Sequence, residues 1–130
     1  MANRSADWLR QAEADLRHAM HAREAGDYDW ACFAAHQAAE KALKAAMLHA
    51  SLEAWGHSVV RLLAILADGE AEAPASLMDF ARLLDRHYIP TRYPDNLPDG
   101  APTDFYRVAD ADEAIGAAEA IIAYCRGEAR

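Results

Sequence analysis

Apolar residues recur at three- and four-residue steps along most of the chain, the spacing of one face of an α-helix. The first such run predicts a helix from about Ala6 to Ala25, with Trp8, Ala12, Leu16, Ala19 and Met20 along its inner stripe. Asn3 or Ser5 supplies a cap, and Gly26 the left-handed stop that ends so many helices. A second helix is predicted from Asp27 or Asp29 to about Ala50, turning Trp30, Phe33, Ala34, Gln37, Ala38, Ala45 and Leu48 inward. The short break between the two requires an antiparallel hairpin. A shorter helix follows from about His57 to Ala67 and closes at Gly69. The fourth opens near Pro74 to Ser76 and presents Leu77, Phe80, Ala81 and Leu84. The last opens with Asp110 and Glu113 as an acidic capping box, then lines up Ile115, Ala118, Ile121, Ile122 and Cys125.

Residues 89–109 break this pattern. Pro90, Pro94, Pro98 and Pro102 stand at every fourth position, and Pro90 pushes Ile89 out of the α region. The segment is predicted to be a long loop, and loops beyond about 12–15 residues tend to be functional or disordered. Disorder calls for a polar, aromatic-poor composition. Ile89, Tyr93, Leu97, Phe105 and Tyr106 point instead to packing, and the prolines reduce the entropy lost on ordering. An ordered loop wrapped over the helices, bearing arginine and tyrosine, is the first candidate site.

Composition sharpens the fold and narrows the function. Of 130 residues, 32 are alanine, whose helix propensity is high and whose small side chain lets helix axes approach closely. No segment alternates apolar and polar residues as a strand would. The expected fold is a single all-α domain over residues 1–130, an up-and-down bundle of four long helices and one shorter one. No apolar run nears the roughly 18 residues of a membrane span, and "MANRSADWLRQ" lacks a signal-peptide core, so a cytoplasmic protein without membrane contact is expected. Cys32 and Cys125 fit neither a CxxC pair nor a disulfide framework and are predicted to be buried free thiols. A net charge of −8 argues against duplex DNA held by phosphate neutralisation, while leaving room for a local site for a nucleotide or RNA.

The candidate chemistry is concentrated around the loop. In "TRYPD", Arg92 would clamp a phosphate, with Asp95 beside it, while Tyr93 stacks on a base. The alternative is structural, with Arg92 paired to Asp95 or to a loop carbonyl and Tyr93 plugging the bundle. Lys41 and Lys44 on the second helix are further phosphate candidates, although His36, Glu40 and Lys44 at four-residue steps also read as a surface ladder of charges. His57 and Tyr88 complete the candidate ligand-binding set, His57 or Ser58 serving otherwise as a helix cap. Trp8, Trp30 and Trp55 read as core or interface anchors. His18, His21 and His49 have no partners at ligand spacing, so no metal is expected, and no glycine-rich phosphate loop implies a cofactor.

Three stretches, "DWLRQAEADLRHA", "DYDWACFAAHQAAEKALKAAML" and "LLDRHYIPTRYPD", resemble the HEPN family of small helical domains, and "AWGHSVVRLL" is similar too. The resemblance covers nearly the whole chain. It implies a homodimer or dimer of dimers, often paired with a minimal nucleotidyltransferase (MNT) in toxin–antitoxin operons. Some members are metal-independent ribonucleases and others nucleotide-binding modules. The family's ribonuclease motif, an arginine followed after four to six residues by a histidine, is matched here by Arg82 and His87 in "RLLDRH". His87 would take the proton from a ribose 2′-hydroxyl, and Arg82 would stabilise the transition-state charge. A five-residue step turns about 140° around a regular helix, so the pair shares a face only if the helix loosens before Pro90. Three functions are therefore expected to compete: a nucleotide- or RNA-associated module, a metal-independent endoribonuclease, and a structural interaction protein.

Overall fold

The first helix, α1, spans Ser5–Ala25, and its start is held by the Asn3 side chain, whose Oδ1 accepts from the Ser5 amide at 2.7 Å. Gly26 ends it with φ +84°, and the Asp27 amide returns to the Ala22 carbonyl at 2.8 Å, closing the helix in a left-handed cap. The chain then reverses into α2, Tyr28–His49, and the two pack as the predicted hairpin. The computed structural model describes residues 3–69 and 73–127. The remaining helices are α3 (Val59–Gly69), α4 (Ala75–Asp85), α5 (Pro102–Phe105) and α6 (Val108–Cys125). Among the described residues every regular element is helical.

Helix α2 is the axis of the fold, touching α1, α3, α4 and α6. It has no single inner stripe. Ala31, Cys32, Ala35, Ala39, Ala42, Leu43 and Met47 are fully buried, and so is His36, whereas Trp30 is 49% exposed. Small side chains on all sides let four helices approach one central helix, a packing that alanine permits and larger residues would prevent. Leucines 43, 62, 63 and 84 and isoleucines 121 and 122 fill the space between the alanine contacts. On α1 the buried residues are Ala12, Ala19 and Ala22, while Met20 from the predicted stripe is turned outward. Cys32 is buried and Cys125 half-buried; both are free thiols, pushed up to about 12 by burial.

The proline-rich segment is ordered but not a simple loop. Pro94–Asn96 form a single 3-10 turn, and α5 begins on Pro102, where the missing N–H costs nothing in a first helical turn. The Asp104 carboxylate accepts from the Ala101 amide at 2.9 Å, and Asp110 does the same for the Arg107 amide at 2.9 Å. Helix α6 therefore starts at Val108, two residues before the predicted opening, with Asp110 reaching back rather than leading. Gly100 stands at φ +77°, in the left-handed region that favours glycine, and an added Cβ would sit a tight 3.1 Å from both Asp104 Oδ2 and the Phe105 ring. The residues expected to anchor the segment do not all do so. Ile89, Tyr93 and Phe105 stay 41–49% exposed; Tyr106 packs against the core as expected, and Thr91 and Pro102 are the further anchors. Thr91 is 1% exposed and donates to the His87 carbonyl at 2.7 Å.

Candidate functional site

Three polar groups of the bundle lie where alanine dominates, and each is satisfied. The ring of His36 is wholly buried, its Nε2 lying 3.1 Å from Asp85 Oδ1 and its Nδ1 3.3 Å from the Gln37 amide nitrogen. A neutral imidazole protonated on Nε2 satisfies both contacts. Asp85, the last residue of α4, also accepts from the Val59 amide at 2.8 Å, the Val60 amide at 3.1 Å and Ser58 Oγ at 2.9 Å. It thus caps α3 from across the fold, where a carboxylate meets unsatisfied amides and the positive end of the helix dipole. Burial alone would push its carboxyl up. The hydrogen bonds from His36, Val60, Val59 and Ser58 outweigh that and hold it below the usual carboxylate range.

One turn along α2, Glu40 is 3% exposed and faces His57 Nδ1 at 3.2 Å and Lys44 Nζ at 3.1 Å. The predicted surface ladder of His36, Glu40 and Lys44 is therefore an internal one, because α3 and the segment after α4 cover that side of α2. Tyr88 lies over the result. Its ring is 5.0 Å from the His36 ring and nearly parallel to His57 at 5.2 Å. Arg92 then donates through Nε and Nη2 to the Tyr88 carbonyl, at 3.0 and 2.7 Å. Its guanidinium carbon stands 4.2 Å from the Phe33 ring centre, 4.9 Å from Tyr88 and 5.2 Å from Tyr93. Aromatic faces on a cation are worth from about 0.5 to 2 kcal/mol each, more as water is excluded. Two donors are committed to the carbonyl, while Nη1 has no hydrogen-bond acceptor among the described residues.

Of the residues singled out by sequence, Lys44, His57, Tyr88, Arg92 and Tyr93 come together in this cluster. The others stand apart. Lys41 pairs with Asp15 at 2.5 Å, and Asp95 is exposed in the 3-10 turn. Arg92 does bond a loop carbonyl, but Tyr93 does not plug the bundle, being 48% exposed. Arg82 is 63% exposed and pairs with Asp79 at 3.0 Å, on the outward side of α4. His87 turns inward instead, 3.4 Å from the Tyr106 hydroxyl, and burial pulls its ring down to about 4. Helix α4 ends at Asp85, and the turn that follows leaves the two on different sides. Trp30 and Trp55 are not core anchors, with 49% and 74% of their surface exposed. Among the described residues no three His, Cys, Asp or Glu side chains are grouped to hold a metal ion, and no helix is long and apolar enough to cross a membrane.

Sequence reasoning missed Asp85, Phe33 as a site residue, and the depth of Glu40. A histidine and a glutamate inside an alanine-rich helix were the available signal, because a buried polar group needs a partner. Which partner it has is a tertiary fact.

The same fold occurs in solved structures. The crystal structure of TT1696 from Thermus thermophilus superposes with a TM-score of 0.94 and 46% identity, covering 98% of this chain and 99% of that one. ST0689, described as an archaeal HEPN homologue, matches over 100% of both chains at 38% identity and a TM-score of 0.82. An HEPN domain protein from Thermotoga maritima matches at 40% identity and a TM-score of 0.75, over 93% of this chain and 95% of that one. No curated protein matches. The HEPN domain model aligns with residues 5–128, and the chain belongs to the HEPN domain family.

Proposed function

We propose that this HEPN domain is a nucleotide- or RNA-associated binding module, working as a homodimer and paired with a minimal nucleotidyltransferase in a toxin–antitoxin setting. The observation that carries the binding reading is Arg92. Its guanidinium is braced by Phe33, Tyr88 and Tyr93, oriented by the Tyr88 carbonyl, and left with Nη1 uncommitted beside a half-exposed ring. A pre-oriented arginine next to an exposed aromatic face suits a phosphate joined to a base. Lys44 borders the same cluster, its charge set against Glu40, and His57 stands 3.2 Å from the same carboxylate.

The ribonuclease alternative through Arg82 and His87 has less support. A ring held near 4 is a weak proton acceptor at neutral pH, and Arg82 faces away from it toward Asp79. The test has two arms. In a thermal-shift series with ATP, AMP and other nucleotides, at least one raises the melting temperature of the wild type. Arg92→Ala abolishes that shift, and Tyr93→Ala, at an exposed site, reduces it without loss of fold. No shift with any nucleotide would remove the binding reading. In the second arm, mixed RNA is incubated in EDTA with wild type and His87→Ala, and the two are expected not to differ in cleavage. Cleavage that depends on His87 would reinstate the enzyme.

A further inference from the structure

The start of α1 forms an open cleft of about 520 Å³ with α2, lined by Arg4, Asp7, Trp8, Arg10, Gln11 and Lys41. Contacts from Trp8 toward Arg92 run through the nearly buried Lys44 and the buried Glu40, so the two places share no exposed face. Each carboxylate of the cleft is shared between two donors. Asp7 Oδ2 accepts from Arg4 Nε at 3.1 Å, and its Oδ1 accepts from Arg10 Nη2 at 2.5 Å. Asp15 accepts from Gln11 Nε2 at 2.9 Å and from Lys41 Nζ at 2.5 Å. The cations are less fully used. A guanidinium carries five N–H donors in a rigid fork, and each arginine gives Asp7 only one nitrogen. The two side chains are 74% and 77% exposed, so their remaining donors face solvent. Three cations against Asp7 and Asp15 leave one net positive charge, on a chain whose total is −8.

Trp8 supplies the apolar wall, half-buried beside these forks. Tryptophan and arginine are the side chains that most often carry the binding energy of protein surfaces. A guanidinium fork matches the planar carboxylate, and here two forks already close on one, that of Asp7. A second carboxylate arriving from solvent takes the outer N–H groups and continues the alternation of charge. The local excess of one charge is met by one or two carboxylates. A nucleic-acid strand brings a charge at every phosphate, toward Asp7, Asp15 and a strongly negative chain. The cleft is also open, whereas small-molecule sites bury most of their ligand. An extended protein segment suits it better.

We infer that this cleft docks an acidic peptide segment of a partner protein. An apolar residue of the segment rests on Trp8, and flanking Asp or Glu carboxylates are held by Arg4 and Arg10. The site is independent of the nucleotide reading of the Arg92 cluster. The test is fluorescence anisotropy of the full chain with a labelled, end-blocked peptide in which a phenylalanine stands between two glutamates. Wild type binds it saturably, and Arg92→Ala binds it equally well. The double variant Arg4→Gln/Arg10→Gln, at exposed positions, weakens binding by about ten-fold or more, the equivalent of at least one charge-assisted hydrogen bond. Replacing both glutamates of the peptide by glutamine has the same effect on the wild type, which needs no protein variant. Replacing its phenylalanine by alanine weakens binding too, and Trp8→Phe, which keeps a ring, retains most of it. No saturable binding up to about 1 mM, or equal binding of the glutamine peptide, overturns the docking site. So does displacement of the peptide by single-stranded RNA at lower concentration than by unlabelled peptide. None of these outcomes touches the thermal shift that tests Arg92.

Discussion

At the scale of single residues, Asp85 has the widest reach, because four hydrogen bonds from α2 and the start of α3 converge on its carboxylate. Asp85→Ala leaves buried His36 without its partner and two amides of α3 uncapped. The expected loss is about 3–5 kcal/mol, the cost of breaking a buried charged hydrogen-bond set, read from the urea unfolding midpoint. Ser58 is the milder probe, since Asp85 keeps its other three donors. Two residues also predict a pH profile. His87 is lowered from its ordinary value to about 4, so the unfolded chain binds the extra proton first as pH falls. The stability that neutral His87 contributes is complete above about 6.5, its unfolded value, and declines as pH falls toward 4. Asp85 is also lowered, so its contribution is present above the unfolded carboxylate range and is lost in stronger acid as pH passes its folded value. Unfolding measured from pH 8 down to 4 should therefore show a positive slope of stability with pH that is reduced in His87→Gln. An unchanged slope would mean that the ring is not buried neutral.

Elements differ in what their sequences could reveal. Both ends of α1 and the start of α4 were legible to within a residue or so, through Gly26 and Pro74, whereas α4 ends at Asp85, well before the Pro90 that bounded it in the sequence. Gly26 has open space where a Cβ would stand, so Gly26→Ala isolates backbone strain and is expected to cost about 1–2 kcal/mol. Helix α2 hid its role, because most of it is buried. The main exception is one narrow stripe of Trp30, Phe33, Gln37, Lys41, Lys44 and Leu48, and that stripe itself carries apolar residues, so the faces show little contrast. Its alanines set the distance to α1 and α6. Ala39→Leu, at a position with no exposed surface, is expected to destabilise by about 1–3 kcal/mol through overpacking, despite the good helix propensity of leucine. Little change in the thermal midpoint would show that the bundle expands freely there. The proline segment was legible as ordered but not as partly helical: α5 depends on Asp104 turning back onto the Ala101 amide, a local bond that periodicity does not register.

For the molecule as a whole, light scattering is expected to give twice the 14.3 kDa chain mass, and a monomer at micromolar concentration would count against the homodimer in the proposed function. The amino-acid sequence by itself determined the all-helical class, the hairpin of the first two helices, the break before Pro90, and the family through three matched stretches. These follow from local rules, since propensity, caps and the 3.6-residue period act between neighbours in the chain. It also marked Arg92, Tyr93, Tyr88, His57 and Lys44 as residues of interest. Only the tertiary structure decided that these five meet, that Lys41 and Asp95 do not join them, and that Arg82 and His87 part company after α4. The reason is physical. Asp85 is 49 residues from His36 and 26 from Val59, and a hydrogen bond across such separations leaves no periodic trace. It exists because the covering of α2 makes an unpaired imidazole too costly to leave.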